Sequence, residues 1–183
     1  MSQETASLVL KSSDLTFGSS TAIGTANTNG TQLTWTNINL RVLLGELYEK
    51  YERFNLCLNT IASSIAPAIG ASAEDRCTYI TISGLPWTNN TYSQKYNTNI
   101  NETVIASCVW VSSGQTTQYY YGNNTATFGK NQDVCNITIT LKKILDDSLP
   151  TSANAFPKII FIFDIVGVDE YKVKDITQAR ILK

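Results

Sequence analysis

Large apolar side chains recur at alternate positions in about eight stretches of the chain, the period of a β-strand that buries one face. Thr5–Lys11 is a short apolar run that reads as an edge strand. In residues 31–38, Leu33 and Trp35 alternate with Gln32 and Thr34. Residues 53–61 put Phe54, Leu56 and Leu58 on one side and Asn55, Cys57 and Asn59 on the other. Cys77–Ser83, residues 103–111 and residues 134–144 read the same way. Residues 118–121 form a shorter strand, ended by the turn signal Gly122-Asn123-Asn124. Residues 158–168 are apolar almost without a break, which reads as a strand covered on both faces. The small-residue stretch 12–30 reads as an arm with a brief strand near Leu15, and residues 88–101 as a long connection.

One segment has the helical period instead. Leu40, Leu43, Leu44, Leu47, Tyr48 and Tyr51 make a single apolar stripe. Asn39 stands where an N-cap is needed, and Glu46 and Lys50 are an i,i+4 pair. Gly45 lies off the stripe, at a cost of about 1 kcal/mol relative to Ala. Strands separated by irregular connections lack the βαβ rhythm of a parallel sheet. The expected fold is all-β: a single jelly-roll β-sandwich of about eight antiparallel strands, with one short helix and extended terminal arms. The expected division is an N-terminal arm or edge strand over 1–30, the jelly roll over 31–169 and a C-terminal tail over 170–183.

Composition narrows the chemistry. With 183 residues and 43% apolar side chains, the chain buries roughly two thirds of its unfolded surface without metals or disulfides. Charged residues make up only 16% and the formal net charge is −1, against the basic face that phosphate neutralisation requires. A weakly charged polar surface suits a protein packed against neighbours. There is no histidine, which removes Ser-His-Asp and Cys-His catalysis and imidazole metal sites. Cys57, Cys77, Cys108 and Cys135 form no CxxC pair, and no basic-then-apolar leader begins the chain, so they read as reduced, buried thiols. No run approaches the ~20 apolar residues of a membrane-spanning helix. No enzyme activity, cofactor or metal is expected.

Several segments in order resemble the small single jelly-roll capsid proteins of giant nucleocytoplasmic double-stranded DNA viruses, the mimivirus-like group in particular. They are LTWTNINLR at 33–41, YERFNLCLN at 51–59, ISGLPW at 82–87, YGNNTATFGKN at 121–131 and FIFDI at 161–165. The resemblance implies a structural virion component with no catalytic residues. It implies either the penton, a homopentamer at the fivefold vertices, or a minor capsid (cement) protein beneath the major shell. A compact jelly roll with little appended sequence favours the penton. The implied partners are further copies of the chain and the major and minor capsid proteins, without nucleic acid. The implied location is the virion, with assembly in the host cytoplasm.

Some residues carry a second reading. Trp87 with Tyr119, Tyr120 and Tyr121 is a candidate subunit contact, because Tyr and Trp are enriched at interfaces. The same cluster would serve a carbohydrate-binding jelly-roll module as a stacking platform, the main rival from another class. Lys172 and Lys174, with Arg180 and Lys183, make the tail a candidate for contact with an acidic neighbour or an internal membrane. Asp164 is expected as a buried charge held by a backbone N–H or by Arg53 or Arg76. The Asn-x-Ser/Thr sequons at Asn29, Asn89, Asn101, Asn123 and Asn136 read as chance in a chain rich in Asn and Thr. Glu74-Asp75 and Asp146-Asp147 read as solvated turn residues.

Overall fold

The alternating pattern decides which faces must be hidden, and long-range pairing decides against what. The computed structural model describes residues 5–16, 18–28, 30–63, 77–85, 91–93, 98–100, 102–109, 119–121, 125–130, 132–144, 147–149 and 159–168. In chain order the strands are β1 (Thr5–Lys11), β2 (Ser19–Ser20), β3 (Gly24–Ala26), β4 (Gln32–Asn39), β5 (Arg53–Ser63), β6 (Cys77–Ser83), β7 (Thr91–Ser93), β8 (Thr98–Ile100), β9 (Thr103–Val109), β10 (Tyr119–Tyr121), β11 (Thr125–Gly129), β12 (Val134–Lys143) and β13 (Ile159–Val168). A four-stranded sheet has the order β1-β13-β5-β11 and a seven-stranded sheet the order β10-β9-β6-β12-β4-β3-β2. β7 and β8 form a separate hairpin. Every ladder in the two main sheets is antiparallel.

Eight of these strands have five or more residues: β1, β4, β5, β6, β9, β11, β12 and β13. Numbered one to eight, they are ordered 1-8-3-6 in the smaller sheet and 5-4-7-2 in the larger. The chain therefore crosses between layers at almost every step, and the last long strand lies between the first and the third. This is the jelly-roll order, an all-β sandwich of two antiparallel sheets. β1, inside the stretch expected as an arm or edge strand, pairs with β13 along its whole length, and β2 and β3 extend the larger sheet.

The inner faces are apolar as the period predicts. Phe54, Phe161, Phe163, Leu33, Ile80 and Ile139 are all fully buried, each removing an apolar side chain from water for about 1.5–3 kcal/mol before the entropy of ordering is subtracted. Trp35 of β4 meets Phe161 of β13 edge-to-face across the layers, with centroids 6.5 Å apart and planes at 82°. Its indole Nε1 donates to the carbonyl of Lys11, 3.3 Å away, so this large side chain also buries its polar atom with a partner. Phe54 and Phe128 stack at 5.4 Å within the smaller sheet and hold the edge strand β11. A register shift at Ile80/Thr81 turns two consecutive residues of β9, Ile105 and Ala106, into the core.

Two expectations need correction. The helix is broken into α1 (Leu40–Leu44) and α2 (Glu46–Lys50). Gly45, at φ 53° and ψ −125°, lies in a region that only glycine enters cheaply, and it turns the second segment. The apolar stripe survives the break, because Leu40, Leu44, Leu47 and Tyr48 all remain buried. Asn39 caps α1 as expected, its side chain accepting from the N–H of Val42 at 3.1 Å. β13 is not covered equally on both faces: Ile159, Phe161, Phe163 and Ile165 are buried, while the residues between them are half-buried.

Gly84, after β6, has φ 96°, and a Cβ there would stand 1.7 Å from the carbonyl oxygen of Asn136 in β12. Gly84→Ala is expected to cost on the order of 1–3 kcal/mol in backbone strain alone, plus displacement of β12. Gly45→Ala, where nothing lies within 4 Å, should carry the strain without the clash. Urea denaturation of both variants checks this; equal losses would contradict the close approach.

Candidate functional site

Strand parity settles where Asp164 points. Its neighbours Phe163 and Ile165 face the core, so Asp164 faces outward and is half-exposed rather than buried. Among the described residues Asn59 holds it: Asn59 Nδ2 donates to Asp164 Oδ2 at 2.6 Å, and Thr60 Oγ1 donates to Asn59 Oδ1 at 2.7 Å. Arg53 pairs in register with Val168, at the far end of β13, and Arg76 lies outside the described residues. Ser7, Asp164, Cys57 and Thr125 form one polar row across the smaller sheet, in register on four strands. Cys57 Sγ and Thr125 Oγ1 approach to 3.4 Å within it.

The tyrosines are elsewhere. Tyr119–Tyr121 is β10, the edge strand of the larger sheet, paired with Val109, Cys108 and Ser107 of β9. The tyrosine strand and Asp164 therefore belong to different layers. Trp87, Lys172 and Lys174 lie outside the described residues.

A second outward row escaped the reading of the sequence. Ser20, Thr25, Thr34, Thr138 and Ser83 are in register across five strands of the larger sheet. Thr34 and Thr138 share a hydrogen bond at 2.8 Å. The signal was present in QLTWTN and NITITL, where threonine fills the outward positions beside buried Leu33, Trp35, Ile137 and Ile139. At the edge of this row an open groove of about 470 Å³ is lined by Ser19, Ser20, Thr25, Asn27, Gln32 and Thr34, among others. Asn27 is fixed there by the N–H groups of Thr31 at 2.8 Å and Gln32 at 3.1 Å, both of which donate to its Oδ1. Among the described residues the lining is neutral and offers hydrogen bonds, with no carboxylate pair for acid–base chemistry. Among the described residues no cluster of three His, Cys, Asp or Glu could hold a metal.

A charge cluster ties the helical segment to the turn before β12. The Tyr48 hydroxyl donates to Asp133 Oδ1, and the N–H of Leu40 donates to the Asp133 carbonyl at 2.7 Å. Arg41 and Lys130 stand 5.1 and 5.2 Å from the Tyr48 ring centroid, within cation–π range. Lys130 Nζ also donates to the Tyr48 carbonyl at 2.9 Å and pairs with Glu52 at 2.9 Å. The hydrogen bond to Asp133 raises the Tyr48 pKa above its ordinary value; burial and the Asp133 charge add to this, and Arg41 opposes it. The cluster's groups satisfy one another, so it acts as a fastening. Elsewhere Lys142 and Glu102 pair at 2.6 Å on the outer side of the larger sheet.

Cys57, Cys108 and Cys135 are free thiols. Burial pushes Cys108 up to about 12 and Cys135 up to about 11, while Cys57 is half-exposed on the outer face of the smaller sheet. Because the thiolate is the reactive form, alkylation at pH 8 followed by peptide mapping should label Cys57 well before Cys108 and Cys135, which should be labelled only on unfolding. Early labelling of either buried thiol would contradict this burial.

The raised Tyr48 pKa adds stability that is full below pH 10 and is lost as pH climbs through the folded-state value. Tyr48→Phe should be less stable than the parent at pH 8, and the gap should narrow at pH 11; a gap independent of pH would contradict the Asp133 bond. No helix among the described residues is long and apolar enough to cross a membrane. Comparison with protein-family models, with curated proteins and with solved structures returns no match.

Proposed function

We propose that the chain is a structural subunit of the capsid of a large icosahedral DNA virus, forming homopentamers at the fivefold vertices. The observation that carries this reading is the jelly-roll order itself, with the capsid-like segments falling on its framework. LTWTNINLR runs from β4 into α1, YERFNLCLN covers most of β5, and ISGLPW begins at the end of β6. YGNNTATFGKN spans β11, and FIFDI is the centre of β13. In this reading the protein's work is geometric. Two sheets locked face to face hold their edges in fixed positions, and each copy presents one patch to a complementary patch on the next. Such head-to-tail contacts close into a ring when the rotation fits.

The surface chemistry supports the same reading. The outward row of Ser and Thr on the larger sheet is neutral, so bringing it against a neighbour avoids the penalty of desolvating charges. Among the described residues, the charged groups of the Tyr48-Asp133-Lys130-Glu52 and Lys142-Glu102 clusters are paired within the chain.

Native mass spectrometry and sizing of the purified full chain should find pentamers, and particle maps should place five copies at each vertex. Density beneath the major shell would make it a minor capsid protein instead. A monomer that is absent from particles and binds glycans would overturn the capsid reading in favour of a carbohydrate-binding module.

A further inference from the structure

β1 is an edge strand of the four-stranded sheet, paired with β13 on one side only. Its register with β13 runs from Thr5 to Lys11 without a bulge. On the other side, alternate residues turn their N–H and C=O groups away from the sheet. Among the described residues, nothing but β13 bonds to the backbone of residues 5–10. The edge ends at Lys11, whose carbonyl accepts from Trp35 Nε1. Edge strands are commonly guarded by proline, by a bulge or by an inward-pointing charge. TASLVLK has none of these, and its one charge, Lys11, stands at the very end.

Exposed apolar side chains sit on β1 and on the elements around it. Val9 of β1 is 46% exposed, Ile23 in the β2–β3 turn 55% and Val42 of α1 79%. The Ile23 carbonyl accepts from the N–H of Thr36 in β4, and α1 packs against β1. The strand is also complementary to itself. A twofold axis through Leu8, perpendicular to the sheet, sets Thr5 opposite Lys11, Ala6 opposite Leu10, Ser7 opposite Val9 and Leu8 opposite its own copy. Inward side chains then meet inward ones, and outward meet outward. Lys11 faces Thr5, so no like charges meet. Such a ladder adds about six N–H···O bonds, within the roughly 10 ± 5 of a stable interface. β11, the opposite edge of the sheet, has five residues, and its Thr127 and Phe128 are engaged further, so β1 offers the longer edge.

We infer that β1 accepts the β1 strand of a second copy, antiparallel and centred on Leu8, which joins two four-stranded sheets into one of eight. The contact is twofold, with the same strand on both sides, whereas a fivefold ring needs two different patches. The inference is therefore independent of the capsid reading.

Two full-length variants, Ser7→Cys/Cys57→Ser and Val9→Cys/Cys57→Ser, mixed in equal amounts and mildly oxidised, test the register. Peptide mapping should find disulfides between chains that join positions 7 and 9, in preference to 7–7 or 9–9 links. In the full-length Ser7→Lys/Val9→Lys variant lysine stands opposite lysine twice, and analytical ultracentrifugation should find the twofold association weakened roughly tenfold. Ser7→Lys/Val9→Glu sets lysine opposite glutamate twice and should restore it. Both positions are exposed, so neither variant should disturb the fold itself. Absence of the 7–9 link, or equal association of the parent and both charge variants, would overturn the inference. Pentamers that form without the link would overturn it and leave the capsid reading standing; linked dimers without pentamers would do the reverse.

Discussion

Two half-apolar sheets can hide their inner faces only against each other, and every other feature of the molecule depends on that closure. The contact is sealed by aromatic rings from both layers, Trp35 on β4 against Phe161 on β13, with Phe163, Phe54 and Phe128 filling the smaller sheet's side. β13 matters most to the topology. It arrives last and lies between β1 and β5, so the first and last long strands of the chain close the same sheet. Such pairings are made at large sequence separation, which costs loop-closure entropy before any contact repays it. The gain comes only when both layers are in place, so the sandwich should form as one cooperative unit.

Closure also decides what remains outside. Once alternate residues are committed to the interior, the others must form the surface, and here they form two different surfaces. The larger sheet presents hydroxyls in register over five strands, a neutral hydrogen-bonding row. The smaller presents β-branched side chains divided by the Asp164 row. The short connection at Gly45 and the Tyr48-Asp133 fastening hold the helical segment against one end.

Much of this was legible in the sequence because period two is a local signal. β1 and β6 fall on their expected bounds, and β4, β5, β9, β12 and β13 differ from theirs only at the ends. What was missed is what tertiary contact decides. β11, Thr125–Gly129, has one large apolar side chain, Phe128, and is held as a strand by pairing with β5 and by the Phe54 stack. β2, β3, β7 and β8 are two or three residues each, too short to show a period. Asp164 was misread for a related reason. An apolar run shows that a strand is central, but only the parity of its buried residues shows which way an interrupting charge points. Among the expected contact residues, the tyrosine strand is at a sheet edge, where it can meet another chain, whereas Trp87, Lys172 and Lys174 lie outside the described residues.

The claim that one shared interior holds both layers is tested most directly by residue-resolved amide hydrogen exchange under native conditions. The account predicts that the slowest amides lie together in β4, β5, β6, β12 and β13, drawn from both sheets, and share one opening free energy. Protection confined to one sheet, or two sheets opening with clearly different free energies, would contradict it.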